Sequence, residues 1–150
     1  MNSILVVCVG NICRSPVGER ILASLLPKVK VTSAGIGALV GHGADKTATE
    51  VAKSHGISLD GHVARQFTNR IGEESDLILV MEEGHRREIS KQAPHLRGRI
   101  MLFDHWSGGA GIPDPYKRPL AYHKNTFDLI STAAEAWAMR LAAKGTTSHE

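Results

Sequence analysis

The chain has 150 residues, of which 42% are hydrophobic and 22% charged, with a formal net charge of +3. This composition is typical of a compact globular protein, so we expect residues 1–150 to form a single domain. The longest apolar run covers only residues 4–9, far short of the roughly 20 that a membrane-spanning helix needs. No signal-peptide pattern precedes this run, and we therefore expect a cytoplasmic protein that does not insert into a membrane.

The charge pattern argues against nucleic acid as a partner. The 18 lysines and arginines are scattered along the chain, and only 5% of the residues are aromatic. Nucleic-acid-binding surfaces usually carry a basic stripe or stacking aromatic side chains. The mild positive charge suits a small anionic ligand equally well.

The cysteine content indicates chemistry rather than a disulfide framework. The only two cysteines, Cys8 and Cys13, lie five positions apart. A cytosolic thiol stays reduced, and a zinc site needs about four ligands at characteristic spacings. Because the eight histidines form no such pattern, we expect no metal and no cofactor. A catalytic or redox role is the more frequent use of such cysteines.

Hydrophobic periodicity and turn residues predict alternating strands and helices. In chain order the pattern predicts a strand at 4–7, a helix at 16–26, a strand at 29–34, a glycine-rich loop at 35–43, a helix from Asp45 to Gly56, a strand at 76–81, a helix at 83–93, a strand at 100–103, a loop at 104–124 and a helix at 126–143. Ser15 is predicted to cap the first helix, with Pro16 as its first residue. Gly18 within that helix indicates a close backbone contact. This order is typical of an α/β fold with a parallel sheet.

The segment after the first strand carries the main chemical signal. It joins a strand to a helix N-terminus, where free backbone N–H groups attract anions. The nucleotide-binding glycine patterns are absent, but a thiol stands at one end of the segment and a guanidinium at the other. The predicted phosphate-binding residues are Val9, Gly10, Asn11, Ile12, Cys13, Arg14 and Ser15.

Each of three side chains in this segment has a predicted part in phosphate chemistry. The backbone of residues 9–15 is expected to form a cradle around the phosphate, and Arg14 can close this cradle by binding two phosphate oxygens at once. The same positive field favours the thiolate of Cys8, which is a nucleophile at phosphorus. Ser15 can donate its hydroxyl to that sulfur. The alternative is a buried cysteine with a surface arginine nearby, since a bare Cys-x5-Arg pair also arises by chance.

A cysteine nucleophile needs a proton donor for the leaving group. Asp114 is the best candidate, because it lies in the long loop after the last strand and Pro115 limits its freedom. Tyr116 offers an aromatic face beside it. Taken alone, Asp-Pro-Tyr is more often an ordinary turn.

Two motifs together, Cys8-Val9-Gly10-Asn11-Ile12-Cys13-Arg14-Ser15-Pro16 and Asp114-Pro115-Tyr116, resemble the low-molecular-weight protein tyrosine phosphatases. Thr32–Gly35, His62–Gln66 and Ile78–Met81 resemble further family segments, and the match covers nearly the whole chain. The stretch Ser33–Gly41 is most similar to the bacterial branch paired with tyrosine autokinases of capsule or exopolysaccharide export.

The resemblance implies a four-stranded parallel sheet with helices on both faces and a phosphocysteine intermediate on Cys8. It also implies that Asn11, Ser33 and His62 support the loop through hydrogen bonds. The substrate is then a phosphotyrosine protein, with a membrane tyrosine autokinase as the expected partner, and the phosphatase itself is expected to be a monomer.

The resemblance also bears on the pocket wall. Eukaryotic members usually carry a bulky aromatic residue after the Ser33-Ala34 counterpart, where this chain has Leu39. They often have a second tyrosine after Tyr116, where this chain has Lys117. Leu39 and Tyr116 are expected to flank the substrate ring in a less aromatic pocket.

Two other functions remain open at this point. A thiol-dependent arsenate reductase has the same fold, but it needs further cysteines for a disulfide relay. A non-catalytic phosphotyrosine-binding module needs Arg14 but neither Cys8 nor Asp114. A Cys8–Cys13 disulfide could protect the nucleophile from peroxide; alternatively, Cys13 only packs beneath the loop.

Overall fold

The computed structural model describes residues 1–148, with side chains as far as residue 142. The elements, in chain order, are β1 (Ser3–Cys8), α1 (Arg14–Leu25), β2 (Lys30–Gly35), α2 (Lys46–Ser54), α3 (Asn69–Glu73), β3 (Leu77–Val80), α4 (Glu83–Gln92), a 3₁₀ helix (Pro94–Arg99), β4 (Ile100–Leu102) and α5 (Leu120–Ser148). Each predicted strand and helix is present. No described helix is long and apolar enough to cross a membrane.

The four strands form one parallel sheet in the order β2-β1-β3-β4. The two central strands, β1 and β3, are apolar almost throughout because both of their faces are buried. On one face, Ile4 and Val6 belong to a core shared with α1, α2 and α5. On the other face, Leu5 and Val7 pack in a core with α4 and the 3₁₀ helix. The predicted architecture, a parallel four-stranded sheet with helices on both faces, is confirmed.

Gly18 shows why α1 can lie close to the sheet. A Cβ atom at this position would lie 3.0 Å from the Phe103 ring and 3.2 Å from the side chain of Val6. These separations are tighter than ordinary van der Waals contact, so the missing side chain permits the packing. The predicted close backbone contact is therefore present.

Three local predictions differ from the structure. Helix α5 begins at Leu120, so the predicted loop over 104–124 is wrong in its last five residues. The prolines at 113, 115 and 119 indicated a loop, but α5 begins directly after Pro119, so this proline does not interrupt the helix. The short helix α3 and the 3₁₀ helix were not predicted, since neither is long enough to show a period.

Candidate active site

The segment between β1 and α1 lies at the carboxyl edge of the sheet, next to its centre, where ligands bind in parallel α/β folds. The end of β2 presses against it. A Cβ atom at Gly35 would lie 2.3 Å from the carbonyl oxygen of Val9, so no larger residue fits there. Within the described chain, the backbone N–H groups of residues 10–15 have no hydrogen-bond acceptor. A row of free donors at a helix N-terminus is suited to bind an anion.

A cavity of about 160 Å³ opens over this segment. It brings together the predicted nucleophile, arginine, acid and ring-wall residues, although they come from three separate parts of the chain. The lining residues are Cys8, Val9, Gly10, Ile12, Cys13, Arg14, Gly37, Leu39, Asp114 and Tyr116.

Ser15 serves the thiol and not the helix end. Its Oγ lies 2.9 Å from Cys8 Sγ and accepts a hydrogen bond from Asn11 Nδ2 at 2.8 Å. The hydroxyl proton is therefore free to point at the sulfur. The prediction that Ser15 caps α1, with Pro16 as its first residue, is wrong: the helix begins at Arg14, with Cys13 at the cap position and no side-chain cap bond.

Asn11 holds the segment in its curved shape. Its backbone has φ of 59°, a left-handed conformation that asparagine tolerates better than most residues. Glycine would adopt it more readily, but the side chain is needed. Its Nδ2 donates to both Ser15 and Ser33, and its Oδ1 accepts from the backbone N–H of Arg65 at 2.9 Å. A fully buried amide with all these partners is a rigid brace.

Two residues predicted to support the loop contact Asn11 directly. Nε2 of His62 donates to the carbonyl oxygen of Asn11 at 2.6 Å, since the carbonyl can only accept. Ser33 accepts from Asn11 at 3.0 Å and donates its own proton to Glu19 at 2.6 Å. Glu19 therefore fixes the direction of the whole chain of bonds, which ends with the Ser15 proton aimed at Cys8.

Arg14 is fully buried and fixed at one end of its guanidinium. Its Nη1 donates to the carboxylate of Glu82 and, at 2.7 Å, to the carbonyl oxygen of Ile112. Within the described structure Nε and Nη2 donate no hydrogen bond, although Nη2 lies 3.7 Å from Asp114 Oδ2, and together they have the planar geometry that can bind two phosphate oxygens. The structure thus leaves the predicted bidentate grip available on the side facing the cavity.

Asp114 lies at the rim, opposite the thiol segment. Its Oδ2 is 3.7 Å from Arg14 Nη2, and its Oδ1 accepts from the backbone N–H of Tyr116 at 3.0 Å. The side chain is 44% exposed. The carboxyl group is therefore oriented by the following turn, yet still open to a bound leaving group.

The comparisons with known proteins agree with this geometry. The sequence profile of the family described as low molecular weight phosphotyrosine protein phosphatase matches residues 3–147. The chain belongs to this family. A curated relative, the low molecular weight protein-tyrosine-phosphatase Wzb of Escherichia coli strain K12, is 50% identical over 143 residues, which are 95% of this chain and 97% of Wzb.

Solved structures resemble the phosphatase over almost its whole length. Vibrio vulnificus Wzb in complex with benzylphosphonate has a TM-score of 0.91 and 48% identity, covering 93% of this chain and 98% of Wzb. The YwlE arginine phosphatase from Geobacillus stearothermophilus has a TM-score of 0.93 and 30% identity, covering 100% and 99%. The fold therefore includes phosphatases named for two different substrates, and the pocket of each must set the choice between them.

The second cysteine of the phosphatase is kept in its neutral form. Burial raises the pKa of the Cys13 thiol well above its ordinary value, and the nearby Asp45 carboxylate raises it further. Cys13 also belongs to a small buried cluster with Ile12 and Ala64. It is a poor nucleophile in this state, because the thiolate is the reactive form.

A buried histidine lies behind the arginine. His85 Nε2 is 3.5 Å from Glu82 Oε2, and its Nδ1 is among the buried atoms without a hydrogen-bond partner. Burial lowers the pKa of His85, and the charge of Arg14 lowers it further, while Glu82 and Asp114 oppose the shift. A neutral imidazole at this place adds no second cation to the Arg14–Glu82 pair.

Sequence reasoning missed Glu19, Arg65, Glu82 and His85. One signal was available for Glu82, which lies two residues after the end of β3 and so at the same carboxyl edge of the sheet as Cys8. The others lie in ordinary helix and loop positions, and only the folded structure shows their contacts.

Proposed function

We propose that this phosphatase hydrolyses phosphotyrosine in proteins through a phosphocysteine intermediate on Cys8. The observation that carries the proposal is the placement of Cys8, Arg14 and Asp114 around one cavity, with the Ser15 hydroxyl 2.9 Å from the sulfur. Nucleophile, phosphate clamp and acid are the three parts that the reaction requires.

In the first step the thiolate of Cys8 attacks phosphorus, and the bond between phosphorus and the tyrosyl oxygen breaks. Asp114 gives its proton to the departing oxygen, so tyrosine leaves as a neutral phenol. The free N–H groups of residues 10–15 and the fork of Arg14 hold the three outer oxygens, where negative charge is concentrated in the transition state.

In the second step water attacks the phosphocysteine and Asp114, now a carboxylate, takes the proton from that water. The sulfur–phosphorus bond breaks, inorganic phosphate is released and Cys8 returns to the thiolate. The Ser15 proton is oriented to stabilise this leaving sulfur, because Asn11 already occupies the acceptor side of its oxygen.

The cavity walls favour an aromatic leaving group. Leu39 and Tyr116 line its mouth together with Val9 and Ile12, and none of these four side chains carries a charge. A phenyl ring gains free energy by burial between such walls, whereas a guanidinium needs several hydrogen-bond acceptors. The benzylphosphonate bound by Vibrio vulnificus Wzb likewise joins an aromatic ring to a phosphorus group.

The activity test compares peptides of one sequence that carry phosphotyrosine, phosphoserine or phosphoarginine. We expect kcat/KM to be highest for phosphotyrosine, and vanadate to inhibit the reaction. Higher values for phosphoarginine would contradict the proposed substrate. We expect the wild type not to reduce arsenate with a thiol donor. Arsenate reduction by the wild type that is lost in Cys13→Ser would instead support the reductase alternative.

We also propose a bacterial tyrosine autokinase of capsule or exopolysaccharide export as the physiological substrate, with the phosphatase acting as a monomer in the cytoplasm. The similarity of Ser33–Gly41 to that branch and the 50% identity with Wzb support this proposal. A Cys8→Ser variant retains the cradle and Arg14, so it should retain phosphorylated substrate from cell extract. Recovery of phosphoproteins other than a tyrosine kinase would contradict the partner.

We further propose that Cys13 rescues an oxidised Cys8. Peroxide converts the Cys8 thiolate to a sulfenic acid, and the Cys13 thiol then displaces water to form a disulfide. The raised pKa of Cys13 slows formation of this disulfide, because the neutral thiol is a poor nucleophile. After peroxide treatment, a thiol reductant should restore the wild type but not Cys13→Ser. Equal recovery of both proteins would show that Cys13 has only a packing role.

A further inference from the structure

A lysine occupies the position of a turn where glycine is expected. The backbone N–H of Arg118 donates to the carbonyl oxygen of Pro115 at 2.9 Å, which closes a turn with Lys117 at its third position. Lys117 has φ of 61°, and turns with a positive φ at this position favour glycine or asparagine. A strained non-glycine residue beside an active site points to a role for its side chain.

The Lys117 side chain lies beside the pocket wall. Its Nζ is 5.4 Å from the centre of the Tyr116 ring, and that ring lines the cavity above Cys8. Arg118 is in turn placed over the Tyr122 ring, at 5.5 Å. The Tyr116 ring thus places the exposed Lys117 cation beside the cavity mouth, and the exposed cation of Arg118 follows it in the chain.

These two cations are not neutralised by the protein. Among the described residues, no carboxylate lies within salt-bridge distance of Lys117 or Arg118. The carboxylates nearest the cavity are already engaged, since Glu82 binds Arg14 and Asp114 is oriented between Arg14 and the Tyr116 backbone. An anionic group arriving with the substrate is the available partner.

The part of the mouth formed by Val9 and the loop from Gly37 to Val40 has a different character. Val9 and Leu39 line it, and Val40 beside them is 64% exposed. The mouth is therefore apolar along one side and cationic along the other. Such an asymmetric rim can distinguish the residues that flank a phosphotyrosine, which the buried cradle does not contact.

We infer that Lys117, together with Arg118, selects phosphotyrosine peptides that carry acidic side chains next to the phosphotyrosine. The inference rests on the proposed tyrosine phosphatase function and adds a substrate preference to it. Lys117 contacts the flanking carboxylates and takes no part in phosphoryl transfer. The preference is electrostatic, so it weakens as the ionic strength rises.

The test measures kcat/KM for two phosphotyrosine peptides that differ only in flanking aspartates or asparagines. We expect the wild type to prefer the acidic peptide, and Lys117→Gln to reduce that preference by about two- to fivefold, the factor of an exposed ion pair. Lys117→Glu should reverse it. Turnover of p-nitrophenyl phosphate, which has no flanking residues, should stay within about twofold of the wild type.

Two further variants serve as controls, one for the backbone strain at Lys117 and one for the loss of a positive charge elsewhere. Lys117→Gly relieves the positive φ and removes the charge, so it should lose the preference as Lys117→Gln does. Lys91→Gln removes an exposed charge on α4 and should retain the preference. An unchanged acidic-to-neutral ratio in Lys117→Gln and Lys117→Glu would overturn this inference alone. Absence of turnover on both peptides and on free phosphotyrosine in the wild type would overturn the proposed function as well.

Discussion

The floor and the rim of the cavity are built in opposite ways. On the floor, Asn11 and Ser15 are fully buried: Asn11 is held by side-chain hydrogen bonds to Ser33 and to the Arg65 backbone, and Ser15 is held by Asn11. On the rim, Leu39 and Tyr116 are 37% and 39% exposed, and their side chains form no hydrogen bond in the described structure.

This difference separates two tasks. Phosphoryl transfer needs donors fixed in advance where charge develops, because a donor that must first reorient contributes less to the transition state. Selection among phosphorylated side chains needs only contacts of modest energy, which exposed residues can supply. A substitution on the floor should therefore lower kcat, whereas one on the rim should mainly change KM.

The largest expected effect comes from Arg14→Lys. The ammonium retains the charge but not the two-point fork, and it also leaves Glu82 and the Ile112 carbonyl with one shared donor group. Since an arginine that stabilises a transferring phosphoryl group contributes about 10³–10⁵-fold to kcat, we expect a loss in that range. Arg70→Lys, an exposed arginine of α3 that does not line the cavity, is the control. A loss of less than tenfold in Arg14→Lys would show that the fork is not needed.

Asp114→Asn should lower kcat by about 10²–10⁴-fold, the usual contribution of general acid catalysis. Asparagine retains the shape of the side chain but has no acidic proton to donate to the leaving group. The loss should be greatest for aryl phosphates whose phenol is weakly acidic, and smaller for p-nitrophenyl phosphate. A series of substituted phenyl phosphates measures this dependence. The same loss across the series would mean that Asp114 does not protonate the leaving group.

Asn11→Ala tests the brace itself. It leaves Ser15, Ser33 and the Arg65 N–H without their buried partner, and an unsatisfied buried group costs about 1–3 kcal/mol. We expect a lower free energy of unfolding in urea and a reduced kcat. Leu39→Ala on the rim should instead raise KM for phosphotyrosine peptides with little change in kcat. The comparison between floor and rim fails if both variants change the same parameter.

His85 predicts a small pH dependence of stability. Because burial and Arg14 lower its pKa below the ordinary 6.5, the unfolded chain binds more protons than the folded one as the pH falls through that value. Stability must then fall toward acid pH, by at most about 1.4 kcal/mol per pH unit for one group. His85→Gln should lack this component, and the exposed His42→Gln should retain it. Identical urea-unfolding profiles for His85→Gln and the wild type between neutral and acid pH would contradict the assignment.

Much of the site could be predicted because its signals are local. Cys8, Arg14 and Ser15 lie within one short segment between an apolar strand and a helix, and strand order then places that segment at the ligand edge. Asp114 and Tyr116 were predicted from their place in the loop after the last strand and Leu39 from the family resemblance, and the structure brings all three to the same cavity.

What could not be predicted depends on contacts between distant residues. Glu19 on α1 accepts the proton of Ser33 on β2, and no spacing in the sequence marks this contact. Ser15 shows the same limit in one residue, because serine is equally suited to cap a helix or to bind a thiol. Only the position of Cys8 in space decides between the two roles.

The most direct test of the account is to identify the phosphorylated atom during turnover. The enzyme is mixed with p-nitrophenyl phosphate, quenched in acid within a single turnover, digested and analysed by mass spectrometry, with Cys8→Ser as the control. The account predicts one phosphoryl group on Cys8, formed as fast as the first equivalent of phenol and absent from the control. Phosphate on another residue, or phenol release at the full rate with Cys8 unmodified, would contradict a cradle built around this sulfur.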